Sequence, residues 1–290
     1  MGSNKAIVLL RSRAFLSLFA SGMLVMLSFS KLKAQPDSAL VKIPAGTYSI
    51  GGQTHQLNPL RKISLATFYI AKTEVTNLQF EEFVRATAYR TDAERLGNAM
   101  VFEPGLAEFK WLRDSTAFWR FPNGTGRGGI EHKMNHPVTS ISYADAEAYC
   151  KWAKVRLPGL DEWEVASRAG AKSTYFWGEG HEQIGTYANI WNARDHLSAD
   201  VSDGYMYTSP VASFKANAFG LYDMYGNVFE FCEGSLKSDP KKRKVVHARG
   251  GSWWCSRNSC GFFNSVDIGR VNPHSSFSNQ GFRIAKTTLN

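Results

Sequence analysis

The chain has 290 residues, 43% of them hydrophobic and 20% charged, a composition that excludes a disordered polymer and is long enough for one buried core. Its formal charge of +9 overstates the basicity of the folded part: the first 34 residues hold Lys5, Arg11, Arg13, Lys31 and Lys33 and no acid, leaving 29 basic against 25 acidic residues, a net +4, over 35–290. So small an excess does not point to nucleic acid, and no nucleic-acid partner is expected.

At the start, Lys5, Arg11 and Arg13 precede an apolar run over 14–30, followed by Lys31-Leu32-Lys33-Ala34-Gln35. That is the order of a secretory signal, with cleavage after Ala34. The expected division is residues 1–34 as signal peptide and 35–290 as one mature domain, exported to the periplasm or the medium. Cleavage would leave no stable membrane association; uncleaved, the run approaches the ~17 residues that span a bilayer at the short end. No cysteine precedes Cys150, which excludes a lipidated N-terminal cysteine.

From Val41 the residues alternate apolar and polar around Pro44-Ala45-Gly46, which predicts a β-hairpin over 41–52. Ile63, Leu65 and Phe68-Tyr69-Ile70 predict a further strand. Thr76 with Gln79 three positions on forms a capping box, opening a helix whose buried face is Phe80, Phe83 and Val84. Residues 97–136, rich in Gly, Pro, Trp and Phe without periodicity, read as a long irregular segment packed by its own aromatics; Asn123-Gly124-Thr125 within it has the form of a glycosylation sequon. A second helix begins at Ser142, capped with Asp145, and buries Ala146, Tyr149, Cys150 and Ala153. A third runs over 161–169 and closes at Gly170. Beyond it the chain reads as loops and short strands, with the basic run Lys241-Lys242-Arg243-Lys244 as a solvated loop. The fold class expected is α+β, a single irregular domain with little regular secondary structure.

Near the C-terminus stands Arg249-Gly250-Gly251-Ser252-Trp253-Trp254-Cys255-Ser256-Arg257-Asn258-Ser259-Cys260. An extended chain would hold the two Cys Cα atoms ~16–17 Å apart, so cooperating thiols need the backbone to turn back, which Ser256, Asn258 and Ser259 permit. Two outcomes are open: a disulfide, needing Cα atoms within ~7 Å, or two thiolates holding a soft ion such as Cu(I). A structural zinc site would want four ligands. Arg257 would favour thiolate if it points at the sulfurs, and Trp253 and Trp254 either wall a groove or enter the core. The four cysteines, Cys150, Cys232, Cys255 and Cys260, allow three full pairings.

At these residues the chain resembles the formylglycine-generating enzyme, or sulfatase-modifying factor, family over about 41–285. The carrying stretches include Ile43-Pro44-Ala45-Gly46, Glu74-Val75-Thr76-Asn77, Asn135-His136-Pro137-Val138, Arg156-Leu157-Pro158 with Glu162-Trp163-Glu164, and Ala188-Asn189-Ile190-Trp191. Further along come Gly220-Leu221-Tyr222-Asp223, Gly226-Asn227-Val228, Arg249-Gly250-Gly251-Ser252 and Ser278-Asn279-Gln280-Gly281-Phe282-Arg283. The resemblance implies the family's fold, which is C-type-lectin-like, and an oxidase that uses dioxygen to convert a cysteine of an unfolded sulfatase polypeptide, in a Cys-x-Pro-x-Arg motif, to formylglycine. By the same resemblance Cys255 and Cys260 bind Cu(I), the substrate cysteine adds as a third thiolate, and Ser252 orders the oxygen pocket, with Asn279 and Arg257 as further catalytic residues.

Structural Ca²⁺ is also implied, in one site by Asn189 and Asp203 with the carbonyls of Ile190 and Tyr205, and in a second by Asn227 and Glu230 with the carbonyls of Val228 and Cys232. Cys150 stands where relatives use a disulfide, but its partner position is Ile284, which implies a buried free thiol. Two other readings remain. One is a secreted scaffold or binding protein of the same fold without chemistry. The other is a non-haem iron enzyme like the sulfoxide synthases, for which only His132 and His136 stand at a suggestive spacing.

Overall fold

The structure, a computed structural model, describes residues 39–234 and 245–289. The expected signal segment and the Lys241–Lys244 run lie outside the described residues. No helix among the described residues is long and apolar enough to cross a membrane.

Chain order gives β1 (Leu40–Ile43), β2 (Gly46–Ile50), β3 (Arg61–Leu65), β4 (Phe68–Ala71), α1 (Asn77–Thr87), α2 (Asp92–Leu96), β5 (Ala99–Val101) and β6 (Leu112–Asp114). Then follow α3 (Tyr143–Ala153), α4 (Leu160–Arg168), α5 (Ile184–Tyr187), β7 (Phe229–Cys232), β8 (Val246–Arg249), β9 (Gly269–Val271), β10 (Gln280–Gly281) and β11 (Ala285–Lys286). Short strands and helices separated by long loops make the irregular α+β architecture expected from the sequence.

The hairpin expected over 41–52 does not form. β1 pairs with β4 in the register Ile43↔Phe68, and β2 pairs with β3 in the register Gly46↔Leu65. Residues 40–50 therefore run antiparallel to residues 61–71 as one bent ribbon. Pro44 has no N–H to give a ladder, so the pairing breaks there instead of turning, and the Ala45 N–H donates to Thr67 Oγ1 at 3.1 Å. The reversal lies further on, at Gly51 (φ 85°), where a Cβ would stand 2.3 Å from the Pro59 carbonyl oxygen. For the same reason the single strand expected over 63–70 is two, β3 and β4.

Local hydrogen-bond chemistry sets the helix starts. Thr76 caps α1 with Gln79 reaching back, and Ser142 caps α3 with Asp145 reaching back. α2, absent from the expected elements, carries a third such box from Thr91 and Glu94. α4 opens at Gly159, where the Glu162 carboxylate accepts the backbone N–H at 2.8 Å. α1 and α3 pack Phe80, Phe83, Trp119, Tyr149 and Phe282 into one core cluster. Val84 and Ala153, expected in it, are only half-buried at its margin. Asn123 of the sequon is buried, so it offers no glycosylation surface.

β7, β8, β9 and β10 form a four-stranded sheet in the order β10-β7-β8-β9, antiparallel except for β10 on β7. Beneath it, Arg283 donates to both Glu230 carboxylate oxygens, at 2.5 and 2.6 Å, and the Trp163 indole adds a bond at 2.7 Å. This sheet positions the site: β8 runs directly into Gly250-Gly251-Ser252, and β10 begins one residue after Asn279.

Candidate functional site

Gly250 and Gly251 lie at φ 89° and 70°, and added Cβ atoms would meet the Met224 carbonyl oxygen at 2.8 Å and the Phe263 nitrogen at 2.7 Å. Only glycine allows both the left-handed backbone and the close approach. The turn sends Ser252 inward. The Cys255 N–H donates to the Ser252 carbonyl at 2.9 Å, which starts the reversal that brings the two thiols together. Cys255 and Cys260 are bonded as a disulfide with Cα atoms 4.6 Å apart, the first fully buried and the second 7% exposed.

Ser252 Oγ lies 4.0 Å from Cys255 Sγ and accepts bonds from Asn279 Nδ2 at 3.0 Å and the Trp254 N–H at 3.3 Å. Asn279 Oδ1 and the Trp254 indole nitrogen are buried without hydrogen-bond partners among the described residues. Orphaned polar atoms of this kind are costly, and here they stand on the residue beside Cys255 and on the residue that holds Ser252, where a polar ligand would satisfy them. Trp253 and Trp254 belong to the core cluster that contains both thiols. The structure thus brings Cys255, Cys260, Ser252 and Asn279 together. Arg257 is exposed, and no bond from it to either sulfur is found.

Two thiolates at this separation, once the bond is reduced, form a donor set suited to a low-coordinate soft ion, and the orphaned Asn279 and Trp254 atoms leave polar capacity beside it. Of the first calcium set, Asp203 offers a hard carboxylate donor. Asp203 accepts from the Tyr205 N–H at 2.9 Å and from Asn192 Nδ2 at 3.0 Å, which joins it to the Asn189–Ile190 segment. Burial raises its carboxyl above the usual range, and no basic side chain pairs with it among the described residues.

The second set does not fit. Glu230 is fully buried and both its oxygens are taken by Arg283 and Trp163, so its charge is already compensated. Asn227 turns its amide oxygen to the Ser209 N–H at 3.0 Å. Val228 and Cys232 flank this pair in the core, and the Cys232 thiol donates to the Glu230 carbonyl at 3.5 Å. Cys150 and Cys232 are buried free thiols, and burial pushes both well above the ordinary thiol range.

His132 is exposed, whereas His136 is buried against Thr208 Oγ1 at 3.0 Å, on a loop and not a helix. No group of three or more His, Cys, Asp or Glu suited to a metal is present among the described residues. Two residues beside the thiol loop had no sequence signal. His196 and Glu108 reach it from 58 and 151 positions away in the chain, and neither belongs to a motif.

These features, a glycine turn on a short sheet delivering a buried thiol pair to a serine and an asparagine, define a sulfatase-modifying-factor fold. The profile described as "Sulfatase-modifying factor enzyme 1-like domain" matches residues 28–288, and the chain belongs to this family. It is 36% identical over 281 residues to the formylglycine-generating enzyme of Mus musculus, covering 86% of this chain and 75% of the relative. The formylglycine-generating enzyme of Thermomonospora curvata is 34% identical, with 86% and 94% covered. The family also holds relatives named inactive: the inactive C-alpha-formylglycine-generating enzyme 2 of Bos taurus is 34% identical, with 85% and 87% covered. Among solved structures, PvdO from Pseudomonas aeruginosa superposes with a TM-score of 0.65 at 24% identity, over 88% of this chain and 97% of that one, which supports the fold alone.

Proposed function

We propose that this chain is a copper-dependent oxidase that converts a cysteine in a Cys-x-Pro-x-Arg segment of an unfolded sulfatase to formylglycine with dioxygen. The observation that carries this reading is the buried Cys255–Cys260 pair facing the Asn279–Ser252 hydrogen bond. Relatives named formylglycine-generating enzyme support it.

Cys255 and Cys260, reduced, would hold copper, which supplies the accessible one-electron couple that dioxygen chemistry requires. Ser252, fixed by Asn279, presents a hydroxyl beside the Cys255 sulfur, where it would donate to an incoming thiolate or oxygen. The buried Trp253 and Trp254 exclude water from the pair. Asn189, Asp203, Ile190 and Tyr205 would hold a structural calcium, and residues 1–34 would direct export.

A second reading has its own support: a disulfide cannot accept copper, and a relative named inactive matches at 34% identity, beside 36% and 34% for the two relatives named as enzymes. A scaffold protein of this fold would keep the bond closed. The test is to reduce the purified chain, load it with Cu(I), and incubate it in air with a peptide containing Cys-Thr-Pro-Ser-Arg. Conversion of the peptide cysteine to an aldehyde by mass spectrometry, abolished in Cys255→Ala and Cys260→Ala, is the expected result. An untouched peptide together with no copper uptake gives the scaffold reading.

A further inference from the structure

Glu108 stands on the loop between β5 and β6, and its carboxylate is bonded on both sides. One oxygen meets His196 Nδ1 at 2.6 Å, and the other accepts from the Ser259 hydroxyl at 2.5 Å. His196 Nε2 in turn meets the Trp254 carbonyl at 2.7 Å. The chain of bonds Trp254–His196–Glu108–Ser259 therefore starts on the residue immediately before Cys255 and ends on the residue immediately before Cys260.

Both ends of the bridge are held rigidly. The His196 ring is buried and stacked on Trp254 with centroids 4.2 Å apart and on Trp191 at 5.1 Å. Five residues before His196, Trp191 donates its N–H to the Cys255 carbonyl at 2.8 Å, so this segment fixes two successive carbonyls of the thiol loop. The Glu108 loop is seated by the Gly105 N–H on the His196 carbonyl at 2.9 Å. It is seated again by Phe109, whose ring packs on Trp254 at 5.1 Å from a left-handed backbone of φ 59°. A bulky residue there is strained, and the strain is held by these surrounding contacts. Burial opposes ionisation of Glu108, but the bonds from Ser259 and His196 outweigh it and hold the carboxyl below its usual range.

We propose that Glu108 and His196 are positioning residues for the thiol pair, a hydrogen-bonded clamp that keeps the two segments carrying Cys255 and Cys260 at one separation whether or not the sulfurs are bonded. The physical reason is entropic. Opening the disulfide frees the intervening residues, and each backbone position released gains conformational freedom. The clamp withholds part of that freedom, so the dithiol stays arranged as a facing pair. What the arranged pair is for rests on the function proposed above; the clamp itself does not.

The test uses the full chain and a dithiothreitol redox buffer at fixed pH, with no copper and no peptide. In the exchange the Cys255–Cys260 bond breaks, two thiols form, and dithiothreitol supplies two electrons and two protons and closes to its cyclic disulfide. Alkylation followed by peptide mass analysis reads the fraction of the pair reduced, separately from Cys150 and Cys232.

Glu108→Ala and Ser259→Ala, at partly exposed positions, should each shift the equilibrium toward the dithiol about tenfold, equivalent to ~30 mV. The double variant should shift no further than Glu108→Ala alone, because the two side chains form one link. Glu108→Gln keeps an acceptor and a donor in place and should stay within about twofold of the parent. Wild-type equilibrium in Glu108→Ala, additive effects in the double variant, or a Glu108→Gln shift equal to that of Glu108→Ala would each overturn the clamp. Failure of the peptide assay leaves this measurement standing, and a null result here leaves the peptide assay standing.

Discussion

Asn279 donates its amide to the Ser252 hydroxyl at 3.0 Å, and the two meet at one end of the sheet, Asn279 just before β10 and Ser252 just after β8. The bond leaves Ser252 Oγ directed at the Cys255 sulfur 4.0 Å away. Removing the donor releases the hydroxyl rotor without touching either thiol. Asn279→Ala should therefore lower kcat/KM for the cysteine peptide by about tenfold, the worth of one well-placed buried hydrogen bond, while the number of titratable thiols after reduction is unchanged. A variant with full activity would show that Ser252 orients itself unaided.

How far the sequence anticipated this site depends on the range over which each feature is determined. Capping boxes at Thr76 and Ser142 are legible because donor and acceptor lie three residues apart, and the thiol turn is legible because Gly250 and Gly251 sit next to it. Pairing of β1 with β4 is not, since it joins residues that are nearly thirty positions apart and hinges on how one proline interrupts a ladder. His196 and Glu108 are invisible for the same reason: single polar residues gain a role only when folding lays their loops over Trp254 and Ser259. The calcium sets show the converse. A matching pattern carried both, but packing gives Glu230 a guanidinium partner and leaves Asp203 without one.

Glu164 is the most heavily bonded carboxylate of the core. It accepts from the Gly51 N–H at 2.6 Å, Asn58 Nδ2 at 2.7 Å, Arg168 at 3.0 Å and Arg249 at 3.1 Å, and it is fully buried, as is Arg249. It ties α4 to the β2–β3 reversal and to the end of β8, so it supports the thiol turn from below. Glu164→Ala takes the carboxylate from the buried Arg249 guanidinium, which keeps only the Ser265 and Val266 carbonyls, and the acceptor from the Gly51 N–H, and should cost about 3–5 kcal/mol in urea unfolding. Faster reduction of the Cys255–Cys260 bond, read by alkylation of the thiols released, should accompany it.

Among the described residues, three helices end on a non-glycine residue in left-handed backbone: Ala88 (φ 54°), Lys154 (φ 56°) and Ala169 (φ 46°). Glycine takes this conformation without a Cβ clash. Ala88 and Lys154 are exposed, so nothing else is lost at either position. Ala88→Gly and Lys154→Gly should each raise stability by about 0.5–1 kcal/mol, the relief of strain less glycine's greater freedom in the unfolded chain, seen as additive increases in Tm.

His136 gives the fold a defined acid sensitivity. Burial first, and the nearby Lys133 second, lower its pKa from 6.5 to about 4, while Thr208 takes one ring nitrogen. Between pH 6.5 and about 4 the unfolded chain binds a proton at this position and the folded chain does not, so folding stability falls as pH falls through that window. His136→Gln keeps a partner for Thr208 and removes the titration. Parent and variant should have similar Tm dependence above pH 7, and the parent should lose ~1–2 kcal/mol more than the variant between pH 7 and 4.5 once partial exposure to solvent is allowed for. Parallel curves over the whole range would show that His136 takes up its proton as readily in the folded chain as in the unfolded one.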